Sequence, residues 1–153
     1  SEAHPAGGIE LYDTRHVGDL GLVILYAEVS RPDKVDMEAY LRENGFRGVR
    51  YAVVFDYQAA GAMRDEDLLW LAAANTDPRR DVVLTADGTL TVDARSKRPG
   101  VEGNPPRFPN VAMSSMQTIR LVDERWEEYG IGPRWESPSR RYRKLWLSDR
   151  AEW

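Results

Sequence analysis

The sequence predicts an α/β fold: a single domain with a mainly parallel sheet in βαβαβ order, an added antiparallel hairpin strand and a C-terminal helix. Two continuous apolar runs predict it first, "LGLVILYAEV" from Leu20 and "VRYAVVFD" from Val49. They lack the polar alternation of a half-exposed strand and suit strands buried on both faces. Helix-forming segments separate the strands, and strand, helix, strand, helix, strand in that order implies right-handed crossovers. The third observation is Asp87-Gly88 between two β-rich runs, the strongest short hairpin signal.

Residues 1–18 hold Pro5, Gly7, Gly8, His4 and His16, and read as an extended lead-in with one short strand near Ile9 to Tyr12. After the strand from Leu20, "SRP" ends the run. "DKVDMEAYLRENG" has acids in its first turn and Gly45 where a left-handed cap closes a helix. The second strand ends at Asp56. "RDEDLLWLAAAN" follows, with Asp65 as N-cap and Leu68, Leu71 and Ala72 on one face. "RDVVLTA" is read as the third strand, and "TADGTLTVDA" adds the antiparallel one. Pro99, Pro105, Pro106 and Pro109 make residues 95–113 a surface loop. Ser114 or Ser115 caps the last helix, "SSMQTIRLVDERWEEYG", whose Ile119, Val122, Trp126 and Tyr129 form a narrow apolar stripe at spacings of 3, 4 and 3. The domain is thus placed at 19–131. Residues 132–153 form a distinct tail with six basic against three acidic side chains and with Trp135, Trp146 and Trp153.

Composition excludes several classes. With 21 basic and 25 acidic residues the net charge is -4, which argues against a general nucleic-acid binder. Without cysteine there is no disulfide, thiolate metal site or cysteine nucleophile. No apolar run nears the roughly 20 residues that cross a bilayer, and the start has no export signal, so a soluble cytoplasmic protein without membrane partners is expected.

Catalytic constellations are sought and set aside in turn. The turn after the first strand, "VSRPDK", carries no glycine, so a dinucleotide site is not expected. His4 and His16 both lie in the irregular lead-in. The acids Asp65 to Asp67 complement a helix dipole before they suggest a metal. Asp77-Pro78 is first of all a turn, with Arg79, Arg80 and Asp81 as charges at a strand entrance. The arginines and tryptophans of the tail have the composition of an interface hot spot; docking on a partner and folding back on the chain's own acidic body both fit.

Four segments in order, "YAVVFD", "DLLWLAAANTDPRRDVVL", "VDARSK" and "LVDERWEEYGI", resemble the C-terminal domain of the UbiD family of prenylated-flavin-dependent decarboxylases over roughly residues 20–131. In that family a strand ends in acids, a Leu-Trp helix leads to an Asp-Pro-x-x-Asp turn, an Ile-Asp-Ala-Thr-x-Lys motif follows, and a terminal helix carries Asp-x-x-Trp. Here the acidic run is reduced to Asp56, and a long family loop has shrunk to the "ADGT" hairpin. The family's flavin domain, with its metal ligands and catalytic glutamate and arginine, precedes this region, so the resemblance carries over no catalytic, cofactor or metal residue. It implies a small non-catalytic subunit of a carboxylase or decarboxylase acting on phenolic substrates, as in the phenylphosphate carboxylases, whose γ subunit is arranged this way. A large UbiD-like catalytic partner would then hold prenylated FMN and a divalent metal. The partner interface would be Ile119, Val122, Trp126, Tyr129, Trp135, Arg140, Arg141 and Trp146. The rival expectations are a free-standing homodimeric module for a small ligand and a small enzyme of unknown type.

Overall fold

In a computed structural model the chain forms two compact units, Ser1–Pro106 and Arg107–Trp153. The structure describes residues 4–6, 9–17, 20–27, 36–60, 63–97 and 103–146, with side chains from residue 20 onward. The side chains of His4 and His16 and the end of the tail with Trp153 lie outside the described residues.

The first unit is built on a six-stranded mixed sheet in the order β1-β2-β3-β4-β6-β5. Its strands are β1 (His4–Ala6), β2 (Ile9–Val17), β3 (Leu22–Ala27), β4 (Tyr51–Asp56), β5 (Val82–Leu84) and β6 (Leu90–Asp93). The predicted parallel core is present: β3 pairs parallel with β4, and β4 with β6. The alternation of side chains along β3 and β4 then creates two apolar faces. On one, Val23, Leu25, Ala27, Ala52 and Val54 pack with Met37, Tyr40 and Leu41 of α1 (Met37–Glu43), with Phe46 and Val49 against them. Burying each such side chain contributes about 1.5–3 kcal/mol before ordering costs. Asp36, expected inside the first turn, is instead the N-cap of α1 and accepts from the Ala39 amide at 2.9 Å, while Gly45 follows the helix end at φ +70°, where the sequence placed a left-handed cap.

The opposite face carries Leu22, Ile24 and Tyr26 beside Tyr51, Val53 and Phe55. Onto it packs α3 (Asp65–Asn75), which buries Leu68 and Leu71. A short helix α2 (Tyr57–Ala60) lies between, and α4 (Pro78–Asp81) leads into β5. The N-cap of α3 is Arg64, not the expected Asp65; Asp65 is already helical, and Arg64 instead approaches Asp67 at 3.4 Å.

Two strand assignments differ from the sequence reading. The run Val82–Leu84 is not the third parallel strand but an antiparallel edge strand, and Leu90–Asp93 takes the parallel place beside β4. The polar residues of β6 are accommodated there because they find partners: the Thr91 hydroxyl donates to the Val83 carbonyl at 3.1 Å, and Asp93 is engaged by Arg95. The hairpin itself forms where Asp87-Gly88 placed it, with Gly88 at φ +87° and the Thr85 amide donating to Thr89 at 2.9 Å. The lead-in is also more regular than expected, since β2 covers Ile9–Val17 and pairs antiparallel with β3 from Leu11 to Val17, with a register irregularity between Leu11 and Asp13, while Ile9–Leu11 pair with β1.

The second unit holds α5 (Met116–Glu124), a 3₁₀ turn at Trp126–Tyr129, α6 (Pro138–Arg141) and a second 3₁₀ turn at Tyr142–Leu145. Ser115 caps α5, accepting from the Thr118 amide at 3.0 Å. The α-helix stops at Glu124, so the predicted stripe is bent: Ile119 and Val122 stand on α5, and Trp126 and Tyr129 on the turn that Gly130 closes at φ +62°.

Candidate functional site

The carboxyl ends of parallel strands are where open α/β sheets place their functional groups. Here that edge of β4 and β6 gathers a buried network of charges. Asp93 is the last residue of β6, and Arg95 folds back to grip it with a two-pronged pair, Nε to Oδ1 at 3.0 Å and Nη2 to Oδ2 at 2.7 Å. Two residues on, Lys97 is only 3% exposed. Its Nζ donates to the carbonyls of Asp93 at 2.7 Å and Arg95 at 2.8 Å.

The ammonium also joins this segment to the turn before β5. It lies 3.4 Å from the Asp93 carboxylate and 3.6 Å from that of Asp81. Asp81 is held in turn by Arg80, at 2.8 and 2.6 Å, and accepts from the Asp77 amide at 2.8 Å. Asp77 caps α4 through the Arg79 amide, and Pro78 supplies the fixed φ of a first helical residue. Asn75, at the end of α3, donates to the Ala94 carbonyl at 3.0 Å. Asp56, the last residue of β4 and 4% exposed, accepts from the Ser96 amide at 2.8 Å. The segment 93–97 is therefore tied to α3, α4 and β4 at once.

Burial and pairing pull these groups in opposite directions. For Asp81 burial acts to raise the pKa, but the Arg80 hydrogen bonds, the Asp77 amide and Lys97 together hold it below the ordinary carboxylate value. Asp93 is likewise held low, by Arg95 and Lys97 against the pull of burial. Burial pushes the Lys97 ammonium down despite its two carboxylates. At Asp56 burial dominates and raises the acid, with the Ser96 amide only partly offsetting it. The result is a mutually satisfied ionic latch with one buried acid at its margin.

The sequence reading took Asp77 to Asp81 as turn chemistry and quoted Asp93 to Lys97 only for its family pattern. Spacing alone does not bring the two together, and it shows Asp56 only as a strand end and as the remnant of the family's acidic run. The signal was there in the alternating charges of "DPRRD" and "DARSK", each abutting an apolar strand where an unpaired charge would be costly.

In the second unit, Ile119, Val122, Trp126 and Trp135 do come together. With Asp123 and Pro138 they line a groove of about 250 Å³. Ile119 is its buried floor, while Trp135 is 76% exposed. The Trp126 indole donates to the Gly132 carbonyl at 2.8 Å, which folds the chain back beside it. Arg140 is not in the lining but donates to the lining residue Asp123 at 3.0 Å. Tyr129, Arg141 and Trp146 stand apart from it: the Arg125 guanidinium lies over Tyr129, Arg141 stacks on Tyr142, and Arg143 lies 3.8 Å from the Trp146 ring centre. Among the described residues there is no group of His, Asp and Glu arranged to hold a metal ion, and no helix long and apolar enough to cross a membrane.

No family model matches the chain, and no curated protein matches it. Solved structures that resemble it include two of the UbiD-class enzyme HmfF from Pelotomaculum thermopropionicum. An evolved dimeric form in complex with prFMN aligns at a TM-score of 0.40 and 18% identity over 67% of this chain. The enzyme in complex with FMN aligns at 0.38 and 20% identity, again over 67%. The chain spans only 22% and 25% of those proteins' lengths. Likeness of this extent is a partial match of backbone and assigns no activity.

Proposed function

We propose that the chain serves as a small, non-catalytic subunit of a UbiD-like carboxylase or decarboxylase acting on phenolic substrates, in the manner of the γ subunit of phenylphosphate carboxylase. The observation that carries this reading is the ionic latch. Parts of two of the four segments that carry the family resemblance, Asp77 to Asp81 and Asp93 to Lys97, flank the β5–β6 hairpin and meet at Lys97, whose Nζ lies between the carboxylates of Asp81 and Asp93. The antiparallel β5–β6 hairpin sets Asp81 opposite Asp93, and the buried Lys97 is what joins them. The network also supports a scaffold role over a catalytic one, because its charges are spent on one another.

On this reading prenylated FMN and the divalent metal belong to a large partner chain in the cytoplasm, and this chain adds a docking surface. The groove at Ile119, Val122, Trp126 and Trp135 supplies it. Exposed tryptophan beside arginine is the composition of an interface anchor, and fully burying one such ring contributes about 1.5–3 kcal/mol or more. Trp135 is the cleaner probe, since replacing Trp126 also removes its bond to Gly132. Trp135→Ala is expected to leave the circular dichroism spectrum unchanged and to weaken capture of the large chain at least about tenfold, the equivalent of 1.4 kcal/mol. Equal capture by the variant would remove this surface from the proposal.

A further inference from the structure

Parallel sheets are covered on both faces, because their strands carry no polar side. In the first unit α3 covers only part of its face. Its end is drawn toward the carboxyl edge by the Asn75 bond to Ala94. What remains open follows from the register. Leu22 pairs with Tyr51, Tyr51 with Leu90, and Leu90 with Leu84, so four large apolar side chains stand in one row across β3, β4, β6 and β5, on the same face. Tyr51 is 49% exposed and Leu84 69%, and the row is extended past β3 by Leu20 at 62% and flanked on α3 by Leu69 at 75%. At the β3 end a cavity of about 230 Å³ opens between Leu20, Leu22, Ile24, Val53, Leu68 and Leu69.

The exposed parts of Leu20, Tyr51, Leu69 and Leu84 present roughly 400 Å² of apolar surface, the size of the largest patch on a typical monomer, which is often a functional one. Together with the half-buried Leu22 and Leu90 and a polar margin, that is about the central half of the ~800 Å² that each side of a stable interface buries. The strip is also compatible with itself. A two-fold axis parallel to the strands and passing between Tyr51 and Leu90 sets the Leu84 end of one copy toward the Leu22 and Leu20 end of the other, so each apolar group meets an apolar group, as an isologous contact requires.

We infer that this strip is a self-association surface and that its occupant is a second copy of the chain, packed face to face on the sheet. The surface lies in the unit that does not hold the tryptophan groove, so the dimer stands or falls separately from the proposed subunit role. The test uses the full chain in sedimentation equilibrium, with Leu84→Glu and Leu69→Glu as variants at exposed positions where the fold tolerates a charge. The native chain is expected to dimerise at micromolar concentration, and each variant to raise the dimer dissociation constant at least about tenfold with an unchanged circular dichroism spectrum. The absence of native cysteine allows a second readout: mixed Leu84→Cys and Leu20→Cys chains are expected to form a mixed disulfide under mild oxidation. A native chain that stays monomeric at high micromolar concentration overturns the inference. So does a dimer unaffected by both glutamates, which would place the contact elsewhere.

Discussion

Replacing Lys97 by Met keeps the length and most of the volume of the side chain and removes only the ammonium. Two carbonyls, of Asp93 and Arg95, then lose a charged donor at 2.7 and 2.8 Å in a site that is 3% exposed. Hydrogen bonds to charged groups contribute about 1.5–3 kcal/mol each, so the gross loss is roughly 3–6 kcal/mol. Two terms reduce it. The carboxylates of Asp93 and Asp81 keep their arginines, and the variant no longer carries the cost of burying an ammonium, which the depressed pKa of Lys97 reveals. A net loss of about 3 kcal/mol is expected, at the lower end of what breaking a buried ion pair costs. Urea denaturation followed by circular dichroism would read it as a midpoint lowered by about 1.5 M if m is near 2 kcal/mol/M. The native chain should also gain stability as pH rises through the lowered folded pKa of Lys97 toward the unfolded value of 10.5, and the variant should not. A loss below about 1 kcal/mol would show that the latch is not what ties segment 93–97 to the turn, and would refute the reasoning.

Further outcomes follow from neighbouring groups. Asp56 has its folded pKa raised above 3.8, so it costs stability once ionised; Asp56→Asn, which can still accept from the Ser96 amide, is expected to be more stable than the native chain at pH 7. That advantage should shrink as pH falls through the raised pKa and vanish below 3.8, a profile that denaturation at several pH values would check. Asp81 and Asp93 have lowered pKa values, so their contribution is complete above 3.8 and is lost as pH falls through the folded values; Asp93→Asn should blunt the acid sensitivity of the first unit. Ser115→Ala removes the cap of α5 and should cost about 1 kcal/mol, measurable as faster amide exchange at Thr118 and the turn after it.

The parallel core was legible because β3 and β4 are buried on both faces and their sequences say so. The exchange of β5 and β6 was not, and the reason is physical. "VVL" looks like a central strand but lies at the edge with Val83 57% exposed, while "LTVD" looks half-exposed but is central because Thr91 and Asp93 have partners from other elements. A strand's polarity reports whether its polar groups are satisfied, and satisfaction is a tertiary property. The same holds for the latch: Lys97 reads as a solvated lysine until the Asp81 turn is brought beside it. The bend after α5 was hidden because spacings of 3, 4 and 3 fit a straight helix as well as a helix followed by a 3₁₀ turn, and Arg125, where the break falls, gives no stop signal of its own. Ser115, by contrast, is one of the two caps the sequence offered for the start of that segment.

The most direct test of the central claim is capture of the tagged chain from its native cells, with the associated proteins identified by mass spectrometry. Stoichiometric recovery of a large UbiD-like chain carrying a flavin is expected, reduced when Trp135 is replaced by Ala. Recovery of the chain without such a partner, alone or only with its own copies, would contradict the subunit role.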